Sequence, residues 1–372
     1  MSISTDPTGR PLGDVPTPVA VLNVDALEHN VATMARALRG FGVQHAPHTK
    51  THKCREIAER QVAAGASALT TATLLEADVM ASVRGAERVF LARPLAADPA
   101  KLPILAELAG RTNLSMSIED AGQVVPLAAA CRAAGTRIRL LIEIDIGFGR
   151  AGCRDVDDIV AIARAIAEHG GALELEGLMG YEAHAMRIRD DDERRRVVHA
   201  SLDRLGEARE LLVDDGHACP VVSAGGTITY DDAATHDTVT EVRSGGYVFM
   251  HARGDPGPAS LRSFRKALSV LSTVIGSYAD GRIVLDAGLK TVSTDGGTAL
   301  EVVGLPDAEV VMVTEEHLVL DVARAPRRPR VGERLHLVSM HSCTTANLHP
   351  RYLVVRDDDD TVSDVWNVAA RL

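Results

Sequence analysis

From about residue 40 to residue 250, short apolar or β-branched runs alternate with amphipathic helical patterns, and no other feature of the 372-residue chain restricts its fold as strongly. Strands that each feed a helix must lie parallel, because every helix carries the chain back to the same edge of the sheet. The runs fall near 43–47, 67–71, 88–92, 113–117, 137–144, 174–181, 220–223 and 239–243. The helical patterns between them include Thr51–Ala64, Thr73–Ser82, Glu119–Ala134, Val156–Glu168 and Asp191–Val213. About eight such units in roughly 210 residues is the count of a TIM-type (β/α)8 barrel. A doubly wound sheet is the structural rival.

The two ends of the chain differ from this middle. Pro18-Val19-Ala20-Val21-Leu22-Asn23-Val24 reads as a strand that leads into the helix Asp25–Leu38. Beyond about 265 the helical period fades. Leu268–Ile275, Arg282–Asp286, His317–Val322 and Leu335–Val338 read as strands, with turns at Gly281, Gly296-Gly297 and Gly332. The expected organisation is an α/β chain: an N-terminal segment and strand over 1–24 that packs with the β-rich domain, a barrel over 25–255, and a C-terminal β-rich domain over 256–372. The acidic run Asp357–Asp360 reads as a solvated hairpin tip.

Composition removes several function classes. The formal net charge is −11 and the basic residues are scattered, which argues against a nucleic-acid surface. No apolar run approaches the roughly 18–20 residues of a membrane span. Met1–Pro16 lacks the basic and apolar blocks of a signal peptide. The five cysteines are an odd number without CxxC spacing. Together these predict a soluble protein of a reducing cytoplasm with no disulfide framework.

In a barrel, chemistry sits where strands hand over to loops at their C-terminal ends, and unusual residues recur at those corners. After the first barrel strand comes Pro47-His48-Thr49-Lys50-Thr51-His52-Lys53. A lysine held rigid and partly desolvated there is prepared to form a Schiff base with an aldehyde cofactor, which points to pyridoxal phosphate. Lys50 is preferred over Lys53, which is expected inside the following helix. After the fifth strand, Asp145–Gly152 carries glycines for a tight loop and one fixed cation, Arg150, suited to the cofactor's phenolic oxygen; an Asp145–Arg150 loop pair is the structural alternative. After the sixth strand, Tyr181 is placed to bond the pyridine nitrogen and His184 to move a proton. After the seventh and eighth strands, Gly225, Gly226 and Thr227, then Gly245, Gly246 and Tyr247, form the two glycine-bearing loops that cradle a phosphate in this architecture. In the C-terminal domain, His341 and Cys343 project to one face if their segment is extended, and an imidazole beside a thiolate suits Zn²⁺ or another divalent ion. His349 is near enough in sequence to be a third ligand or an outer partner.

Taken together these residues resemble the D-threonine aldolase and eukaryotic-type D-serine dehydratase family, pyridoxal phosphate enzymes of the alanine racemase fold (fold-type III). The resemblance runs from Thr17-Pro18 to Val365-Trp366. It rests on Pro47–Lys53, Glu143–Gly152, Gly225-Gly226-Thr227, Asp286-Ala287-Gly288-Leu289-Lys290, Glu315-Glu316-His317 and His341–His349. It implies Lys50 as the Schiff-base lysine, Arg150 beside the cofactor ring, and a phosphate site around Gly225, Gly226, Gly245 and Tyr247. It implies a divalent metal (Mn, Mg or Zn) on His341 and Cys343 that grips the substrate's β-hydroxyl. It also implies a homodimer in which the β-domain of one subunit caps the barrel of the other. The chain departs from the family pattern at His251, where Asp is common, at Leu318, where Gly is common, and at Cys343, where many aldolases carry Asp.

The implied activity is a lyase acting on small D-β-hydroxy-α-amino acids, a retro-aldol cleavage to glycine and an aldehyde. The close alternative is a dehydratase that takes D-serine or D-3-hydroxyaspartate to a 2-oxo acid and ammonia from the same site. A non-catalytic pyridoxal phosphate carrier is the rival from another class; such proteins are usually single-domain, and the C-terminal domain with its His341–Cys343 pair argues against it.

Overall fold

The computed structural model describes residues 6–96, 98–252, 257–295, 297 and 300–371. Strand β1 (Val19–Asn23) leads directly into helix α1 (Val24–Phe41), whose N-cap Asn23 accepts the Ala26 amide. Then follow β2 (Gln44–His45), α2 (Arg55–Ala63), β3 (Leu69–Thr71), α3 (Leu74–Met80), β4 (Val89–Leu91), α4 (Leu102–Ala109), β5 (Leu114–Ile118) and α5 (Val124–Ala134). The second half of the ring is β6 (Ile138–Glu143), α6 (Val156–Ala167), β7 (Leu173–Met179), α7 (Asp191–Asp214), β8 (Val221–Ala224), α8 (Tyr230–Ala234) and β9 (Glu241–Val242).

Strands β2 to β9 form one eight-stranded parallel sheet. Its ends meet: Ser67 N–H donates to His45 O (2.8 Å) and Thr70 N–H to Pro47 O (2.9 Å), which joins β2 to β3 and closes the barrel. The doubly wound rival is thereby excluded, since an open sheet has two free edges. Each strand alternates as a barrel requires. Val89 and Leu91 face the helical layer, whereas Phe90 joins Leu141 and Met179 in the lumen. Below Phe90 the lumen is ionic: Arg88 is bonded to Glu176 (2.8 Å) and Glu241, and Arg139 to Glu176 (3.1 Å).

The remaining strands are β10 (Leu268–Ser277), β11 (Arg282–Leu285), β12 (Leu300–Val302), β13 (Glu309–Val313), β14 (Leu318–Asp321), β15 (Arg334–Ser339), β16 (Arg351–Arg356) and β17 (Asp359–Asn367). With β1 they make a nine-stranded sheet, in which β1 lies antiparallel to β10 and parallel to β16. One helix interrupts them, α9 (Ser342–Leu348). The turn between β16 and β17 holds Asp357-Asp358, as the acidic run predicts. The chain thus has the expected class, a (β/α)8 barrel with a β-rich second domain. The expected boundary at 255/256 and Gly296 of the expected Gly296-Gly297 turn lie outside the described residues, as do the first five. Among the described residues no helix is long and apolar enough to cross a membrane.

Two helix starts fall later than the sequence pattern suggests. A 3-10 turn over Thr49–Thr51 precedes α2, and another over Ala121–Gln123 precedes α5. The first displaces Lys53 from the helix: it stands just before the N-cap Cys54 with φ 53°, in the left-handed region. Side chains at barrel corners are held by such turns, not by helix.

Candidate active site

The turn that carries Lys50 is fixed on both sides by its neighbours. His48 N–H donates to Ser244 O (3.1 Å) after β9, and the Thr49 hydroxyl to Thr70 O (2.9 Å) in β3. His52 lies beneath, fully buried, with Nε2 on Gln61 (3.2 Å) and Nδ1 accepting the Cys54 amide (3.1 Å). Burial brings its pKa down to about 4, so it is a neutral structural histidine. Lys50 itself stays open to solvent. Desolvation still draws its amine below the ordinary lysine value; the Cys343 and Glu76 charges oppose that shift, and Arg150 and Arg243 add to it. Lys53, in contrast, is spent on structure: Nζ bonds Asn347 Oδ1 (2.7 Å) on α9 and pairs with buried Glu76 (3.5 Å).

The glycine loop after β6 is organised by Asp145, whose carboxylate accepts the amides of Gly147 (3.1 Å) and Gly149 (2.9 Å) and pairs with Arg154 (3.1 Å). Arg150 does not pair with Asp145. It reaches the buried Glu143 (3.7 Å) and lies over the rings of Phe148 (5.3 Å) and Tyr181 (5.7 Å). Tyr181 is packed on Gly226, where a Cβ would come within 3.1 Å of its ring. Burial and then Glu182 push its pKa up to about 12, so the phenol keeps its proton. His184 bonds Ser201 Oγ (3.2 Å) through Nε2. Since the Ser201 hydroxyl donates to Val197 O (2.9 Å), the Nε2–H is the donor. Nδ1 is buried and has no hydrogen-bond partner among the described residues.

At the two corners expected to cradle a phosphate, Gly225 N–H donates to the buried Glu182 (3.2 Å) and Gly226 N–H to Thr229 Oγ1 (3.1 Å). Thr227 Oγ1 accepts the Tyr247 amide (3.1 Å), which ties the two loops together. The Tyr247 ring is fully buried and its hydroxyl accepts from Gln61 (3.0 Å), so it packs the wall. Gly245 is required by close approach: a Cβ there would lie 2.6 Å from His48 O and 2.9 Å from Thr51 Oγ1. Beside it stands Arg243, which the corner-by-corner reading of the sequence passed over. Its Nη2 donates to Gly180 O (2.7 Å), its Nη1 is buried without a partner, and Phe90 lies between it and Arg88, 5.9 Å from each guanidinium. The available signal was Glu241-Val242-Arg243, charges at i and i+2 on a barrel strand.

The His341–Cys343 segment is not extended. His341 is the N-cap of α9 and Cys343 lies in its first turn, yet the imidazole and the thiol are within hydrogen-bonding reach. An N-cap residue has strand-like dihedrals, so its side chain can fold back over the first turn. Cys343 Sγ also bonds Thr51 Oγ1 (3.2 Å), the residue after Lys50. Burial raises the thiol's pKa, but His341, Thr51 and the Lys50 charge together bring it below the ordinary value. His341 is held by a second residue missed in the sequence, Asp295, which accepts from Nδ1 at 2.6 Å. His349 is placed elsewhere, at the far end of α9, where it donates to Thr291 O (2.8 Å).

These residues fit both groups. A buried guanidinium nitrogen unpartnered among the described residues and a depressed amine suit a phosphorylated aldehyde cofactor. An imidazole and a thiol in contact are a soft, open donor pair for a divalent ion. Among the described residues no group of three or more His, Cys, Asp and Glu closes around an ion.

The alanine racemase N-terminal domain family matches residues 22–253, and the putative serine dehydratase domain family matches residues 267–355. A D-threonine aldolase of Arthrobacter sp is 32% identical over 366 residues, which cover 98% of this chain and 94% of that protein. A D-threo-3-hydroxyaspartate dehydratase of Delftia sp. (strain HT23) is 33% identical over 369 residues, covering 92% of this chain and 94% of that protein. The crystal structure of D-threonine aldolase from Filomicrobium marinum superposes with a TM-score of 0.92 at 32% identity, covering 98% of this chain and 99% of that one.

Proposed function

The chain belongs to the family of D-threonine aldolases and D-serine dehydratases, pyridoxal phosphate lyases of the alanine racemase fold, and from that premise we propose that it cleaves D-β-hydroxy-α-amino acids to glycine and an aldehyde. One observation carries the reading. Cys343, from the β-rich domain, bonds Thr51, next to Lys50, so a metal-binding pair and an activated amine meet at the mouth of one barrel.

Pyridoxal phosphate held at Lys50 supplies a sink for the electron pair left when a bond at the substrate's α-carbon breaks. A divalent ion (Mn, Mg or Zn) on His341 and Cys343 supplies the positive charge that favours an ionised β-hydroxyl. The chain's own groups do the rest. Desolvation leaves more of Lys50 as the free amine at neutral pH, the form that reacts with an aldehyde. Arg150, anchored by Glu143, and Arg243, anchored on Gly180, would be the two fixed cations beside the cofactor. Tyr181, kept neutral, would donate a hydrogen bond to the ring nitrogen. Thr227 and the two glycine-bearing corners, Gly225-Gly226 and Gly245-Gly246-Tyr247, would hold the phosphate. His184, whose tautomer Ser201 fixes, offers Nδ1 to the hydroxyl proton.

A second reading is favoured by Cys343 itself, a ligand type more common among the dehydratases. In it Lys50 would remove the α-proton, the β-hydroxyl would leave as water, and a second water would hydrolyse the enamine that remains to a 2-oxo acid and ammonia. Incubation with D-threonine, D-serine and D-3-hydroxyaspartate decides between the two. Glycine with an aldehyde supports the aldolase, ammonia with a 2-oxo acid supports the dehydratase, and no turnover of any of them refutes both.

The same reading includes a homodimer and a cytoplasmic setting. Exposed Val311 (52%) and Met312 (53%) on the edge strand β13 give a second copy an apolar surface to cover. The five cysteines are all unpaired, as a reducing compartment allows. Sedimentation at micromolar concentration tests the dimer.

A further inference from the structure

Asp295 stands in a loop that α9 itself holds in place. Ser293 N–H donates to Thr345 Oγ1 (3.1 Å), and His349 Nε2–H to Thr291 O (2.8 Å). The carboxylate is then fixed by three donors: Ser293 Oγ to Oδ1 (2.6 Å), and Thr344 Oγ1 (2.8 Å) and His341 Nδ1 (2.6 Å) to Oδ2. The helix that presents His341 and Cys343 therefore also presents Thr344, Thr345 and His349, which brace the loop against it. A carboxylate so braced can do one thing to an imidazole: hold the proton on Nδ1, fix the ring's rotation, and leave the Nε2 lone pair for an ion.

We infer that Asp295 is the positioning residue of the metal pair: it fixes His341 in the tautomer and orientation that let Nε2 and the Cys343 thiolate bind one divalent cation together. The inference rests on the metal reading given above. It assigns Asp295 no bond to the ion. Its carboxylate is committed to His341, Thr344 and Ser293, and no third carboxylate or histidine closes around the pair among the described residues.

The test titrates Co²⁺ into chelator-stripped holoenzyme carrying pyridoxal phosphate and follows the thiolate-to-cobalt charge-transfer band. Wild type should show the band and H341A should lose it. Asp295→Ala should keep the band at saturation but need about 10–100-fold more Co²⁺ to reach it. Asp295→Asn, which retains an acceptor oxygen, should fall between the two. The cofactor's own absorption at Lys50 should be unchanged in both Asp295 variants, which separates positioning from misfolding. Activity at saturating metal should return in Asp295→Ala toward the wild-type value.

Three results overturn the inference. Equal Co²⁺ affinity in wild type and both Asp295 variants removes the role. Complete loss of the band in Asp295→Ala, as in H341A, makes Asp295 a ligand and not a positioner. Absence of the band in wild type removes the metal reading, and the inference with it; that outcome is recognised because wild type, not the variant, fails.

Discussion

Two lysines three residues apart in one turn meet opposite fates, and the difference is their partners. Lys53 pairs with Glu76 and bonds Asn347, whereas Lys50 makes no ion pair among the described residues, and its desolvation, with Arg150 and Arg243 nearby, outweighs the Cys343 and Glu76 charges. A desolvated cation gives up its proton more readily. Lys50→Ala should therefore abolish the visible absorption of the bound cofactor and cut turnover by at least 10²–10⁴-fold, the span a positioned proton-transfer group contributes. The cofactor spectrum and the steady-state rate check it. The histidines below have a different consequence. His52 is neutral in the fold with a pKa of about 4, against 6.5 when the chain unfolds. Between those values the unfolded chain binds the extra proton, so stability is intact above pH 6.5 and falls as pH drops toward 4. One such group accounts for roughly 3 kcal/mol at the acid end. Urea midpoints measured from pH 7 to 4 should drop less steeply in His52→Gln, which cannot take that proton. Lys50 stands out in the sequence because Pro47–Lys53 gathers two lysines and two histidines at the end of a barrel strand. Arg243 and Asp295 do not. Each looks like an ordinary charge just ahead of a glycine pair, and only the fold shows that one is buried with a nitrogen unpartnered among the described residues and the other bonded to a histidine.

At the scale of elements, α9 is the piece that turns a barrel corner into a site. It is short, it lies in a domain otherwise made of strands, and nothing in its seven residues announces a helix. The extended reading of His341-Ser342-Cys343 followed from that silence. The pair still meets, because a capping position and the first turn of a helix bring i and i+2 nearly as close as a strand face does. Its docking rests on Lys53, Thr51 and Ser342, the last bonded to Met250 O. Lys53→Met should leave Glu76, 1% exposed, without its cation. A loss of about 3 kcal/mol in urea unfolding is expected, with weaker metal binding and an unchanged cofactor spectrum. Gly245 supplies the complementary case. Its Cβ would meet His48 O and Thr51 Oγ1, so Gly245→Ala should push the β9 corner off the Lys50 turn. That costs about 1–3 kcal/mol and weakens pyridoxal phosphate, measured by equilibrium dialysis. The eight barrel strands were legible for the opposite reason. Each is a buried run with a helix behind it, whereas β12 and β13 are short, half-exposed strands whose pattern carries little hydrophobic signal.

For the molecule as a whole, the barrel and the nine-stranded sheet are joined at two places. Strand β1 leaves the nine-stranded sheet and becomes α1 of the barrel without a linker, while Cys343 returns from the β-rich domain to Thr51. The lumen's ionic floor of Arg88, Arg139, Glu176 and Glu241 lies beyond Phe90 from the mouth and needs no ligand. At the mouth, an amine, a guanidinium, an imidazole and a thiol come from separate segments that the proposed ligands would tie together. A ligand bound only by the folded chain stabilises it by RT ln(1 + [L]/Kd), about 2.7 kcal/mol at a hundredfold excess over Kd. Two ligands at one mouth should therefore give two separable increments. Adding Mn²⁺ to chelator-treated wild type should raise the urea midpoint, and adding pyridoxal phosphate to the stripped protein should raise it again. His341→Ala should lose the first increment and keep the second, because its ring touches the metal pair and not the phosphate corners. Lys50→Ala should retain the metal increment and lose most of the cofactor's, because the amine that would bind the aldehyde is gone while Cys343 still rests on Thr51. Loss of both increments in either single variant would mean that the two groups do not occupy independent halves of the site.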